Sequence, residues 1–251
     1  MTKDSLNTIY SVIKKNNDRT DWAQKFVNVS HHFVSILNNH SFLTKSDFDL
    51  LIKKQDNGIA NAGHWGACND EQYQKICNNW DSIYRIIIAA HNNNDDITPE
   101  QYEEIRKIVH DACDKNKIII VNRILAAFFP NKITATCKEE DFRNLSSFMH
   151  EHFQDYRKPT DNWLLDNYYF VNFCKSSFEE DENLPIPVFS WMLLNKIKEN
   201  SLSNIINQGA PEMSESNENA RKLANLLLHT HNLILHGAPG TGKTHLAKEI
   251  A

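Results

Sequence analysis

A mainly α-helical N-terminal domain with at most a few short strands, followed by the opening strand, loop and helix of an α/β domain, is the fold class predicted for this 251-residue chain. Three observations predict it. Apolar residues recur at three- and four-residue steps up to about residue 200, the period of helices that bury one face. Residues 200–219 lose that period, are dominated by Ser, Asn and Glu, and carry Gly209 and Pro211. After them, the apolar run Leu233, Ile234 and Leu235 enters a Gly-rich turn, and an apolar-periodic segment with Leu246, Ala247 and Ile250 follows. The organisation therefore reads as an α-rich domain over 1–200, a linker over 201–218 and the start of a second domain over 219–251.

The helices can be read in order. Thr20 or Asp21 caps a helix with Trp22, Phe26, Val29, Phe33, Ile36 and Leu37 on its apolar face. Thr44 starts a second, with Phe48, Leu51 and Ile52 as its stripe. The Gly-rich stretch 58–66 reads as a turn whose Trp65 packs on the core, and a loop in which His64 and Trp65 stack a base or small ligand is the alternative. Asp70 opens one long helix to His91, and the polar residues 92–96 end it. Thr98, Pro99 and Gln101 form a capping-box start for a helix to about Cys113.

Residues 118–129 read as a buried helix, with a strand at the β-branched run 118–121 as the alternative. Residues 133–137 read as a short strand, and Glu139, Glu140 and Asp141 favour a helix start after it. Helices over 162–178 and 188–198 are separated by the acidic, proline-bearing loop 179–187.

Composition narrows the function classes. A formal charge of −5 argues against a chain that grips nucleic acid along its whole surface. Five scattered cysteines without a C-x-x-C pair fit reduced thiols in a cytoplasm better than a disulfide framework or a zinc site. No apolar leader and no run of 18 apolar residues is present, so neither secretion nor membrane spanning is expected. Neither His31 with His32 nor His150 with His152 forms a bidentate metal site by spacing alone, because neighbours one or two apart on a helix diverge. Arg123, Arg143 and Arg157, with aromatics nearby, read either as a nucleic-acid contact or as ordinary surface, and nothing in their spacing separates the two.

The chemistry is carried by the stretch NLILHGAPGTGKT over 232–244, which meets G-x-x-x-x-G-K-[ST] through Gly237, Gly242, Lys243 and Thr244. The candidate nucleotide-binding residues are Gly237, Ala238, Pro239, Gly240, Thr241, Gly242, Lys243 and Thr244. Glycines let backbone N–H groups approach phosphate oxygens, and a helix starting near Lys243 points its dipole at the same anion. Lys243 is the candidate catalytic residue, reaching the β and γ phosphates, and the Thr244 hydroxyl is the candidate ligand for Mg²⁺.

The same stretch resembles the Walker A region of AAA+ ATPases, especially the motor subunits of McrBC-type, 5-methylcytosine-specific restriction systems. Weaker likenesses to segments upstream of such motors lie at RILAAFFPNK over 123–132 and NGIA over 57–60. The resemblance implies a nucleoside-triphosphate-driven homo-oligomeric ring using ATP or GTP, an N-terminal domain that recognises DNA, and a separate nuclease subunit. The chain ends seven residues after Thr244, so it reads as the N-terminal part of a longer protein. The second acidic motif, the sensors and the arginine finger of the family would lie beyond Ala251, and the fragment alone is expected not to turn over nucleotide efficiently. The alternative keeps the ATPase but makes the N-terminal domain an adaptor for a protein partner.

Overall fold

The computed structural model describes residues 1–16, 20–113, 117–199 and 201–202. The chain divides into two units, Met1–Ile205 and Ile206–Ala251, and the described residues all lie in the first. The described residues are mainly helical, and none of them lies in a strand. None of their helices is long and apolar enough to cross a membrane.

The chain begins with α1 (Lys3–Lys15), capped by Thr2, and α2 (Thr20–Asn38). The sequence reading did not single out α1, although Leu6, Ile9, Tyr10 and Ile13 form its buried face. Next come α3 (Lys45–Phe48) and a π-helical turn, Asp49–Lys53. A loop leads to the short α4 (Gly63–Gly66), then α5 (Asp70–Asn78) and α6 (Trp80–Asn92). The single helix expected over 70–91 is thus two, broken at Asn79, whose backbone leaves the helical region at φ −98° and ψ 6°. The start is set by Asn69, whose side chain accepts from Gln72 N at 2.8 Å while Gln72 Oε1 accepts from Asn69 N at 3.2 Å.

Helix α7 (Pro99–Cys113) starts as its sequence predicts, with Thr98 Oγ1 accepting from Gln101 N at 3.2 Å and Gln101 Oε1 from Thr98 N at 3.0 Å. Helix α8 (Ile118–Phe128) settles the ambiguity over 118–121 in favour of helix. From Ile120 to Phe128 every residue is buried, because α2, α4, α7 and the π turn surround it. Helices α9 (Glu139–His152), α10 (Trp163–Lys175) and α11 (Ile186–Lys198) pack on one another, and α1 lies against α11.

Residues 133–137 are not the expected strand. Their alternation is that of a buried extended segment, but among the described residues no strand lies beside them to complete a ladder, and three side chains and one remote carbonyl satisfy the backbone instead. Asn167 Oδ1 accepts from Thr134 N at 2.9 Å, and Pro187 O accepts from Ala135 N at 3.2 Å. Trp163 Nε1 donates to Thr136 O at 3.3 Å, and Asn122 Nδ2 donates to Cys137 O at 2.9 Å. The segment is therefore threaded through the core and held from α8, α10 and α11.

The entry to α3 contains a second buried polar cluster. Asp47 accepts from Thr44 N and Thr44 Oγ1, both at 2.7 Å, and lies 2.6 Å from His32 Nε2 on α2. Burial acts to raise the Asp47 carboxyl, but the hydrogen bonds from His32 and Thr44 outweigh it and hold the pKa below the ordinary 3.8. The folded state therefore binds this proton less readily than the unfolded chain. The resulting stability is present above the unfolded pKa and is lost as pH falls through the folded one. Asp47→Asn is expected to cost roughly 1–2 kcal/mol at pH 6, as loss of a cap does. That cost should shrink in urea titrations taken down to pH 3, and a cost that did not change with pH would contradict the assignment.

Candidate functional site

A cleft of about 670 Å³ opens between the first turn of α2, the middle of α11, the start of α9 and the loop after the π turn. Its wall is built from the loop. Asp56 Oδ1 accepts from Gly58 N at 3.1 Å, Asn57 Oδ1 accepts from Ile59 N and Ala60 N at 3.0 Å each, and Asn61 Oδ1 accepts from Gly63 N at 2.8 Å. The side chains of Asp56, Asn57 and Asn61 thus hold the backbone of the loop in place of a regular ladder.

Gly58 sits at φ +86°, where an added Cβ would lie 3.3 Å from Lys25 Cβ, so only glycine lets this turn lie flat on α2. At the other end of the wall a Cβ on Gly66 would come to 2.7 Å of Ile119 Cγ2, which brings the end of α4 against α8.

Beneath the wall stands Arg123, which is fully buried on α8. Its guanidinium donates to Leu51 O and Lys54 O at 2.9 Å each, to Gln55 O at 3.3 Å and to Leu50 O at 3.4 Å. Leu50 and Leu51 lie in the π turn and Lys54 and Gln55 directly after it, so the guanidinium stands at the carbonyl end of the turn, where its dipole is negative. Burial pulls Arg123 down to about 10, with no carboxylate in direct contact to offset it. This side chain fixes the start of the wall to the central helix, and it faces no solvent. Neither the nucleic-acid reading nor the surface reading of Arg123 therefore holds, because RILAAFF over 123–129 is core throughout.

Inside the cleft the indoles of Trp22 and Trp191 meet with centroids 4.9 Å apart at 55°. Both are half-buried, so each keeps ring surface toward the opening. Thr136 and Cys137 form part of the floor, and the Thr136 hydroxyl bonds Ser190 Oγ at 2.9 Å. The rim has mixed charge: Asp21, Asp56 and Asp141 against Lys25 and Lys138. Asp141 is bonded by Lys198 at 2.8 Å, and Lys138 lies 3.2 Å from Glu140. Such a rim suits an aromatic or cationic group laid on the indoles and does not form a continuous cationic track for a phosphate backbone.

Other constellations resolve as structural. His150 Nδ1 lies 3.0 Å from Tyr156 O, and His152 Nδ1 lies 3.0 Å from Phe148 O. No group of three or more His, Cys, Asp or Glu side chains suited to a metal ion occurs among the described residues. Arg157 is tied to Asp166 at 3.2 Å and lies over Tyr169 at 4.6 Å, which anchors the loop before α10. The Glu179 to Glu182 run is partly bound, with Glu180 Oε1 accepting from Ile186 N at 2.7 Å and Asp181 paired to Lys14. The ring positions of His64 and Trp65 lie outside the described residues, as do Gly237, Ala238, Pro239, Gly240, Thr241, Gly242, Lys243 and Thr244.

Sequence reasoning placed Trp22 in a core stripe and did not single out Trp191. The periodicity of α2 was its only signal, and periodicity cannot show that a residue far along the chain turns a stripe position into a cleft wall. No family model, no curated protein and no solved structure matches this chain.

Proposed function

We propose that this chain is the N-terminal part of a P-loop NTPase of the AAA+ kind, serving as the motor and DNA-recognition subunit of a modification-dependent restriction system. The observation that carries the reading is the complete G-x-x-x-x-G-K-[ST] pattern at Gly237, Gly242, Lys243 and Thr244, set between an apolar run and a helical period. Backbone N–H groups from Gly237 to Thr244 would cradle the phosphates of ATP or GTP, Lys243 would neutralise their charge, and the Thr244 hydroxyl would hold Mg²⁺. The bound metal supplies charge neutralisation across the phosphates. In the whole protein the chemistry is transfer of the terminal phosphoryl group to water, powering a homo-oligomeric ring that acts with a separate nuclease subunit.

Recognition belongs to the helical unit. Support for DNA comes from the resemblance, and the indole pair in the cleft offers a stacking surface. Mixed rim charge and the formal −5 favour the second reading, a remodelling ATPase whose helical unit is an adaptor for a protein. A gel shift of duplex DNA, unmodified and 5-methylcytosine-bearing, by residues 1–251 separates them. The DNA reading expects a shift that weakens steeply as salt rises, because phosphate contacts release counterions. Failure to shift either duplex at low salt would leave the adaptor as the reading.

A further inference from the structure

Three cysteines gather where α5 meets α7, and they are not equivalent. Cys68 is half-buried in the two-residue connection between α4 and Asn69, Cys113 is the buried last residue of α7, and Cys77 is half-buried near the end of α5. Two hydrogen bonds clamp the segments that carry the first pair. Gln72 Nε2 donates to Cys113 O at 3.0 Å, and Lys117 Nζ donates to Ala67 O at 2.6 Å. Helices α5 and α7 pack along one another, so this juxtaposition is part of the core. The two clamps bring the segment of Cys68 against the segment of Cys113, and the two side chains act on one another directly.

We propose that Cys68 and Cys113 are a reversible dithiol–disulfide pair, with Cys68 the thiol that meets a hydroperoxide and Cys113 the thiol that resolves it. Cys68 has the exposure a small oxidant needs, whereas Cys137 and Cys174 are buried. The cations of Lys117 and Arg123 act on Cys68, and the Cys113 hydrogen bond, the largest influence, draws its thiol below the ordinary value against the effect of burial. The same hydrogen bond and burial push Cys113 up, so it is the protonated partner at the start. Cys77 is engaged by the Tyr73 hydroxyl and is raised by burial.

The chemistry balances in two steps. The Cys68 thiolate attacks one peroxide oxygen, the O–O bond breaks, and sulfenic acid forms at Cys68 as the other oxygen leaves as hydroxide or alkoxide and takes a proton. Cys113 then loses its proton and attacks the Cys68 sulfur, the S–S bond forms, and the S–O bond breaks to release water. Two thiols are oxidised and one peroxide is reduced.

The test treats the folded 1–251 chain with hydrogen peroxide, blocks free thiols with iodoacetamide and maps non-reduced peptides by mass spectrometry. The expected result is a Cys68–Cys113 linked peptide as the main product, lighter by two hydrogens and reversed by dithiothreitol. Cys68→Ser and Cys113→Ser should each abolish it, and Cys77→Ser should leave it. Cys68→Ser changes a half-buried loop residue, so it keeps the test open where Cys113→Ser does not fold. The proposal is overturned by a Cys68–Cys77 link, by a link formed only in urea, by sulfinic acid at Cys68 without a link, or by no oxidation of Cys68.

Discussion

Arg123→Met is expected to lower the unfolding free energy by about 3–5 kcal/mol, because several carbonyls lose a common donor at about 1–3 kcal/mol for each one left unsatisfied. The guanidinium is fully buried and its four carbonyl acceptors belong to one turn and the residues after it. Methionine fills part of the volume but donates nothing, so Leu50 O, Leu51 O and Lys54 O lose this donor, while Gln55 O keeps Ala62 N at 2.9 Å. Arg123→Lys keeps the charge and loses the fork. A single ammonium cannot span Leu50, Leu51, Lys54 and Gln55 together, so lysine should recover only part of the loss. Urea unfolding of the three proteins gives the ranking. Hydrogen exchange should show the greatest loss of protection at Gly58 to Ala62, because the wall of the cleft starts from the anchored turn. A Met variant within about 1 kcal/mol of wild type would show that the carbonyls find water instead, and the anchoring role would fall.

Lys243→Ala, made in the product of the whole reading frame, is expected to weaken Mg²⁺-dependent binding of ATP or GTP by about 100-fold, as removal of a charged donor from a phosphate site does. Thr244→Ala should instead remove the dependence on Mg²⁺ while leaving weaker metal-free binding, since in the proposed reading the hydroxyl would hold the metal and the amides the phosphates. Titration of a fluorescent nucleotide with and without Mg²⁺ reads both. Nucleotide affinity that is unchanged in Lys243→Ala would mean that the Gly-rich turn is only a turn, and the motor reading would be withdrawn whatever the helical unit binds.

Local signals were legible wherever a segment's own residues decide its conformation. The Thr98, Pro99 and Gln101 cap, the Thr44 start, the acidic start at Glu139 and the helix over 118–128 follow from capping chemistry and apolar periodicity. The errors fall where long-range partners decide. Residues 133–137 have the alternation of a strand, but Asn167, Trp163 and Asn122 supply their hydrogen bonds, and those residues lie on helices remote in sequence. The break at Asn79 was hidden because apolar spacing continues across it, so the pattern of a single helix fits both pieces.

By itself the sequence determined that the region up to about residue 200 is mainly helical with apolar faces, and it set the G-x-x-x-x-G-K-[ST] pattern at 237–244, since both are properties of short spacings. Only the tertiary structure decided that Arg123 is an internal anchor and not a surface cation, that Trp22 meets Trp191 across a cleft, and that Cys68 meets Cys113. Each of those pairings joins residues far apart in the chain. Their contact depends on how helices stack, and helix packing is fixed by the volume and hydrogen bonding of the whole core, which no window of sequence contains.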